Sequence, residues 1–423
     1  MARRPTPARR RYAIAGSTQP VGQKTSYLRP LAGLRFVAAL LVVAFHFLLP
    51  RMPGATGPLG HATTVARNVV AGGFSGVDFF FILSGFILSY SYLDARGRLA
   101  VSPRAFWLAR VARIYPIYVV AFAAAAIPFL QWGAQGPPPC GQPHPIVTGV
   151  AGLTLTQGWL PCAANVWNPP AWSLSVEAFF YLLFPTSVFL IGRLSRRGLL
   201  TVVVAMWAAL AAVALAYLVV APDGAASGPW YDRFWLRALY GNPLARLPEF
   251  LMGVALGKLF MPRSADGAIR LARRVGHRWR PGLVGAAALL GIVGLLAAGP
   301  SPVVLVNEAL LDPLFALLIY ALAFGEGPLA RFFALPLLGL LGEASYALYI
   351  LHWPLWDWST RAVERFVDPA VTQSAAFFAA YLCVAVVVSV LSLRFVERPA
   401  RAALKRLFAR ERRRHILASE PAA

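Results

Sequence analysis

Charged residues are scarce in this sequence. They make up 13% of its 423 residues, against 58% for hydrophobic ones, and the hydrophobic residues occur in long blocks. This composition is typical of a polytopic membrane protein. Acidic residues are scarcest, with 17 Asp and Glu against 40 Lys and Arg. In a soluble chain the net charge of +23 would suggest a nucleic-acid partner. Here the basic residues separate apolar blocks, so we interpret them as topology signals and expect no nucleic acid.

Signals for metal binding and for secretion are also missing. The sequence has neither an HExxH motif nor a paired His/Cys spacing, which argues against a metal site, and we expect no permanently bound cofactor. The N-terminus lacks a continuous apolar core followed by a small-residue cleavage site, so residues 1–28 are predicted to be a disordered basic cytoplasmic tail. Residues 400–423 are predicted to form a second basic tail at the cytoplasmic surface, where anionic lipid attracts it.

Only three cysteines are present. Cys140 and Cys162 lie in a long loop, residues 131–171, that contains no Lys or Arg. The sequence leaves open whether these two form a disulfide or are unrelated thiols. Cys383 lies in an apolar segment and is interpreted as an apolar filler.

The apolar blocks predict an all-α membrane bundle of about ten spans within one domain, residues 29–399, with no separate soluble domain. A span needs roughly 20 apolar residues to cross the hydrocarbon core. Ten segments qualify: 31–49, 72–93, 112–130, 172–192, 199–221, 243–260, 281–298, 302–325, 336–357 and 371–393. The second, fourth and sixth segments fit the pattern of a membrane span least well, because each carries an acidic residue.

The distribution of basic residues predicts the orientation. An even number of spans places both termini on one side, and that side holds most of the Lys and Arg. The alternate loops hold only Arg51, Arg67, Arg233, Arg237, Arg246, Arg361 and Arg365. By the positive-inside rule, both termini face the cytoplasm of a bacterial plasma membrane.

The first predicted span carries two ionisable residues, Arg35 and His46. Eleven positions of an α-helix bring both to within roughly 20° of one face, separated by roughly 16 Å along the axis. An Arg within a span costs roughly 2.5 to 3.5 kcal/mol on insertion scales, so it usually faces a bundle interior. A structural hydrogen bond is the alternative role for His46, but we expect a functional site.

The predicted topology places five ionisable side chains in the outer half of the membrane. They are His46, Asp78, Glu177, Glu249 and His352, with Ser173 at a similar level. Carboxylates paired with imidazoles at this depth suit proton transfer. The alternatives are structural interhelical pairing for the three acids and, for His352 beside Trp353, a place in an interfacial aromatic belt.

The cytoplasmic side is predicted to hold a phosphate site. Arg110 and Arg113 are three positions apart and so share a helical face at the start of the third span. Paired guanidiniums hold phosphate well. The alternative is a positive-inside flank that contacts lipid phosphate.

Six motifs in order resemble the integral membrane acyltransferase 3 family, over about residues 28–399. Arg35 and His46 are similar to the family's first signature, an Arg and a His separated by ten residues. Arg110 and Arg113 are similar to its Arg-x-x-Arg signature. The other blocks are GVDFFFILSGF, WSLSVEAFFYLLFP, RLPEFLMGVALG and SYALYILHWP. One departure is Ala178 after Glu177, where many relatives carry a second acid.

The resemblance implies an O-acyltransferase that takes an acyl group, most commonly acetyl, from cytoplasmic acyl-CoA. His46 would be catalytic, and Arg35, Arg110 and Arg113 would bind or organise the donor. The acceptor would be a hydroxyl of a glycan, a glycolipid, peptidoglycan or a macrolide-like metabolite. The sequence ends soon after the tenth span, so the hydrolase-like domain of longer relatives is expected to be absent.

Two mechanisms remain open at the level of sequence. His46 would act as general base on the acceptor hydroxyl or as a nucleophile that carries the acyl group, with Asp78 or Glu177 as orienting partner. Glu249 and His352 are further candidates. The alternative function is a proton-coupled transporter that uses the buried acids and histidines. A scaffold that only anchors a glycan pathway does not explain so many buried ionisable residues.

Overall fold

The structure is a computed structural model, and it describes residues 28–52, 60–132, 144–224, 233–261, 281–301, 303–403 and 406. The described residues form helices and a single isolated bridge, Leu93 to Leu99. In chain order the helices are α1 (Arg29–Phe47), α2 (Gly60–Ala71), α3 (Gly76–Tyr92), α4 (Pro103–Trp132), α5 (Pro145–Leu153), α6 (Trp172–Ile191), α7 (Arg196–Val220), α8 (Phe234–Gly241), α9 (Leu247–Phe260), α10 (Pro281–Ala298), α11 (Val304–Ala323), α12 (Gly327–Phe333), α13 (Pro336–Phe366) and α14 (Ala375–Ser392).

The predicted all-α membrane bundle of about ten spans is confirmed. Among the described residues, eight helical segments are long and apolar enough to cross a membrane, and α12 with α13, bent by 63°, gives a ninth. The predicted span 243–260 corresponds to α9, which has only 14 residues. At 1.5 Å per residue α9 is about 21 Å long, shorter than the roughly 30 Å hydrocarbon core. The sixth predicted segment is therefore a short helix inside the bundle.

Local sequence explains where several helices begin. Ser195 caps α7 by accepting a hydrogen bond from the backbone N–H of Gly198, and Ser374 caps α14 through the N–H of Phe377. A serine oxygen at this position satisfies a backbone N–H that the helix leaves unpaired. Proline stands in the first turn of α1 and of α13, where its missing N–H costs nothing.

Helix α1 lies against α13, and the two run parallel. Ala32 is next to Gly342 near their N-termini, and His46 is next to His352, fourteen residues further along α1 and ten further along α13. Helix α3 runs antiparallel to α1. The evidence is that Gly73, just before α3, contacts Leu41 and Phe45 near the end of α1. These directions bring the last turns of α1 beside the first turns of α3.

Helices α3 and α9 approach so closely that their backbones touch. A Cβ atom added at Gly85 would lie 2.2 Å from the carbonyl oxygen of Phe250, and one added at Gly253 would lie 2.0 Å from that of Ile82. Small residues allow such close contact between membrane helices. This crossing fixes the short helix α9 against α3, which carries Asp78.

The cysteines and tails are only partly described. Cys162 is disulfide-bonded, whereas Cys140, its candidate partner from the sequence, lies outside the described residues. Cys383 is a free thiol, and it is exposed on α14 instead of filling the core. The two predicted tails lie almost wholly outside the described residues.

Candidate active site

A cavity of about 140 Å³ lies between α1, α3, α4, α6 and α13. Three of the predicted site residues, Arg35 from α1 and Arg110 and Arg113 from α4, line it together. Glu177 of α6 lines it too. The remaining polar lining consists of hydroxyl groups, and the apolar lining comes mainly from α3: Ser84, Ser173, Ser345, Tyr181, Tyr346, Tyr349, Val77, Phe80, Phe81, Leu83, Ile87, Leu88, Ile114 and Leu174. Guanidiniums therefore outnumber carboxylates in its wall by three to one.

The two arginines of α4 are held by different partners. Arg110 Nη2 donates a 2.7 Å hydrogen bond to the Tyr92 hydroxyl, and its guanidinium lies 5.1 Å from the centre of the Tyr92 ring. Arg113 Nη1 lies 3.1 Å from Glu397 Oε2, which also pairs with Arg401. Glu397 belongs to a π-helical turn, Leu393–Glu397, that follows α14. Both guanidiniums are thus oriented before any ligand binds.

Arg35 differs from these two. Its guanidinium forms no ion pair and no hydrogen bond with any group in the described part of the chain, although Arg35 is partly buried and lines the cavity. A guanidinium carries five N–H donors and a fixed positive charge. Arg35 is therefore available to an anionic or carbonyl-bearing ligand.

Glu177 does not contact His46. Its Oε1 accepts a 2.5 Å hydrogen bond from the Tyr181 hydroxyl and a 3.1 Å hydrogen bond from Ser84. It faces the arginine-lined cavity instead of the histidines. The structure thus separates Glu177 from the residue that it was predicted to orient.

His46 pairs with His352. Nδ1 of His46 lies 3.1 Å from Nε2 of His352, and the two rings are stacked with centroids 5.1 Å apart. His352 is fully buried, and its Nδ1 lies 2.6 Å from the carbonyl oxygen of Tyr349. The helix directions explain this contact, because parallel α1 and α13 carry the two histidines at one level. The structure thus brings these two predicted site residues together.

Phe80 and Tyr349 are neighbours in the cavity wall, and Tyr349 also lies next to His352. Both line the cavity, and their ring centroids are 5.9 Å apart. The Tyr349 ring lies 6.0 Å from that of His352. The Tyr349 hydroxyl is held by Ser173 at 2.7 Å. The cavity therefore ends next to the histidine pair without including it.

Asp78 and Glu249 belong to a separate buried cluster around Arg246. The Arg246 guanidinium forms ion pairs with Asp78, Glu249 and Glu308, and all four side chains are almost fully buried. Tyr240 covers the guanidinium, with its ring centre 4.8 Å away. A fully buried arginine of this kind needs anionic partners in the membrane. The cluster joins α3, α9 and α11.

Sequence reasoning missed three members of these networks. Arg246 was counted among loop residues, but it caps α9 and is fully buried. Glu308 lies in the apolar α11, where an acid within a span was the available signal. Glu397 follows the last apolar segment directly, so its position gave no indication of burial or of its contact with Arg113.

Comparison with known proteins gives a consistent result. A family model described as an acyltransferase domain matches residues 31–394. Acyltransferase MdmB of Streptomyces mycarofaciens is 31% identical over 392 residues, covering 88% of this chain and 91% of the relative. The exopolysaccharide production protein ExoZ of Rhizobium meliloti (strain 1021) is 28% identical, covering 70% and 80%. The peptidoglycan O-acetyltransferase OatA of Listeria monocytogenes is 23% identical, covering 89% and 56%. No solved structure matches the chain significantly.

Proposed function

Because this chain belongs to the acyltransferase 3 family, we propose that it moves an acyl group from acyl-CoA to a hydroxyl of a carbohydrate or of a glycosylated small molecule. Acetyl-CoA is the proposed donor. ExoZ and OatA are named for exopolysaccharide production and peptidoglycan O-acetylation, which supports a glycan acceptor. Family membership disfavours the alternative of a proton-coupled transporter.

The observation that carries the proposal is the convergence of Arg35, Arg110 and Arg113 on one cavity. Arginine binds phosphate through charge-assisted, bidentate hydrogen bonds. The nucleotide end of CoA carries such phosphates, whereas its pantetheine arm is uncharged. Three guanidiniums beside an apolar wall therefore match both parts of this donor.

The apolar part of the cavity wall supports a route for the pantetheine arm. From the arginines it continues along apolar side chains of α3 to Tyr349, whose ring lies beside His352. We propose that the thioester passes Phe80 and Tyr349 to reach His46. Glu177 then faces the donor rather than the acceptor, and Asp78 and Glu249 support the bundle around Arg246.

His46 would be the catalytic residue. As general base, it takes the proton of the acceptor hydroxyl while that oxygen attacks the thioester carbonyl. The carbon–sulfur bond then breaks, and the CoA thiolate takes the proton from His46. As nucleophile, His46 would carry the acyl group before the hydroxyl takes it. Both routes consume one thioester and release one thiol.

The orientation in the membrane is part of the proposal. Basic residues concentrated in the tails and in alternate loops favour cytoplasmic termini in a bacterial plasma membrane. In that orientation the arginine-lined end of the cavity faces the cytoplasm, where acyl-CoA is made. The histidine pair then lies in the outer half, close to an acceptor at the cell surface.

The test is transfer of label from [acyl-¹⁴C]acetyl-CoA in membranes that contain equal amounts of wild type, His46→Ala or the double variant Arg110→Ala with Arg113→Ala. Label should reach an extractable glycan or small molecule in wild type, and the His46 variant should lose about 10²- to 10⁴-fold in rate. Arg104→Ala is the control, because Arg104 is exposed on the same helix outside the cavity.

Two results would contradict the proposal. His46→Ala with wild-type transfer excludes His46 as catalyst. Equal losses in Arg104→Ala and in the double variant exclude a specific donor site. If no label moves from acetyl-CoA or from longer acyl-CoAs, and the protein instead carries protons with a solute, the transporter alternative replaces the proposal.

A further inference from the structure

The hydrogen bonds of the histidine pair determine which nitrogen of each ring carries its proton. The carbonyl oxygen of Tyr349 can only accept a hydrogen bond, so Nδ1 of His352, 2.6 Å away, is the donor. A neutral imidazole carries one N–H, which leaves Nε2 of His352 as an acceptor. Its partner at 3.1 Å, Nδ1 of His46, must then be protonated.

Both rings are neutral on this assignment, and their surroundings support it. His352 is fully buried, and no carboxylate among the described residues forms an ion pair or hydrogen bond with either ring. An imidazolium without a partner is strongly disfavoured in such a place.

We propose that His352 is a positioning residue that fixes His46 as the Nδ1–H tautomer and leaves Nε2 of His46 as the reactive nitrogen. The hydrogen bond that joins His46 to His352 runs through Nδ1 of His46. His46 is partly exposed, in contrast to His352, which is fully buried. His46 is thus oriented by hydrogen bonds that run from the Tyr349 carbonyl through His352. This is the task for which a carboxylate was predicted.

This inference rests on the proposed role of His46, and it specifies that role. With Nε2 unprotonated, His46 takes the hydroxyl proton at Nε2 or attacks the thioester through the same atom. When Nε2 receives a proton, the ring becomes a cation whose Nδ1–H bond to His352 is already formed. No rearrangement of the rings is needed during the reaction.

The structural test needs no substrate. The full chain is prepared with His61, His144, His277 and His415 replaced by Gln, which leaves His46 and His352 as its only histidines. His61 and His144 are exposed, and His277 and His415 lie outside the described residues. Solid-state ¹⁵N NMR of ¹⁵N-histidine-labelled protein in lipid should show Nδ1 protonated and Nε2 unprotonated in both rings. Protonated Nε2 in either ring overturns the proposal.

The kinetic test uses three variants of His352. His352→Leu removes the acceptor and should lower kcat about 10- to 100-fold, with KM for acyl-CoA unchanged, because loss of tautomer control costs catalysis and not binding. His352→Gln keeps an amide oxygen near the position of Nε2 and should restore much of the lost kcat. His352→Asn retains a donor toward Tyr349 but does not reach His46, so it should resemble Leu.

The two tests separate the tautomer from the function. If the NMR spectrum shows the Nδ1–H form but no variant transfers label, the tautomer assignment stands and the proposed function fails. If wild type transfers label and His352→Leu has the same kcat as wild type, the positioning role is excluded. A loss of stability without a change in kcat among the three variants excludes it as well.

Discussion

Glu397 holds Arg113 across 284 residues of sequence, with 3.1 Å between Oε2 and Nη1. The carboxylate is almost fully buried and has a second partner, Arg401. One of the three guanidiniums around the cavity therefore already has a carboxylate partner, which it shares with Arg401. The last membrane helix thus takes part in the site that α4 carries.

Glu397→Gln should strengthen donor binding. Gln retains an oxygen that accepts the hydrogen bond of Arg113, and it removes one negative charge beside the proposed phosphate site. We expect KM for acyl-CoA to fall about 3- to 10-fold, which corresponds to roughly 1 kcal/mol at an effective dielectric constant near 20. Initial rates at low salt give KM for acyl-CoA, and Glu343→Gln is the control variant. Glu343 is exposed and pairs with Arg398 away from the cavity. A KM that rises with Gln would show that the charge of Glu397 assists binding.

Arg246→Met should destabilise the protein more than any surface charge variant. It leaves Asp78, Glu249 and Glu308 buried without their cation, and breaking a buried ion pair costs about 3 to 5 kcal/mol. Arg98→Met is the control, since its pair with Asp94 is exposed and worth at most about 1 kcal/mol. Thermal denaturation of purified protein in detergent gives both values. Equal losses would show that the cluster is not a structural element.

Gly85→Ala should separate α3 from α9. The new methyl group would meet the carbonyl oxygen of Phe250 at 2.2 Å, and backbone cannot yield as a side chain does. We expect a loss of about 1 to 3 kcal/mol, typical of overpacking. Gly294→Ala is the matched control, because nothing lies within 4 Å of its new Cβ and helical Gly→Ala is mildly stabilising. Thermal stability that changes alike in both variants would contradict the close crossing.

The sequence predicts the level of a side chain along the bundle better than it predicts its contacts. Alternating helix directions predict His46 and His352 at one level, and the structure brings the two rings together. Glu177 has a similar predicted level, but the rotation of α6 about its axis directs it to Tyr181 and Ser84. The hydropathy pattern indicates where a helix lies along the chain and the level of each side chain on it. The rotation of a helix about its own axis depends instead on how neighbouring helices pack. That packing involves residues distant in sequence, so the orienting partner of His46 was not predictable.

Arg246 illustrates a second limit of the sequence. Arg246 falls within the predicted segment 243–260 but was counted with the loop residues as a topology signal, whereas the structure places it directly before the short helix α9 and buries it. The close crossing with α3 explains why such a short helix is stable inside the bundle. Glu308 and Asp312, four residues apart on α11, share a face and were a readable signal for a buried cation nearby.

Phe80→Ala should change which acyl groups the enzyme accepts. Phe80 lines the cavity beside Tyr349 and packs against the cluster around Phe47 and Leu348. Loss of its ring opens space between the cavity and His46, where the proposed thioester lies. We expect the ratio of kcat/KM for butyryl-CoA to that for acetyl-CoA to rise about 10-fold, since each added methylene is worth about 1 to 3 kcal/mol in a hydrophobic pocket.

Phe79→Ala provides the comparison for this prediction. Phe79 is its neighbour on α3, but its side chain is buried against Phe315, outside the cavity lining. Both variants lose a phenyl ring from the same helix, so both should lower thermal stability. Only Phe80→Ala should change the ratio of the two donors, because only Phe80 lies on the proposed route to His46. A change of equal size in both variants would mean that chain-length preference follows general loosening of α3, and the route past Phe80 would then be wrong.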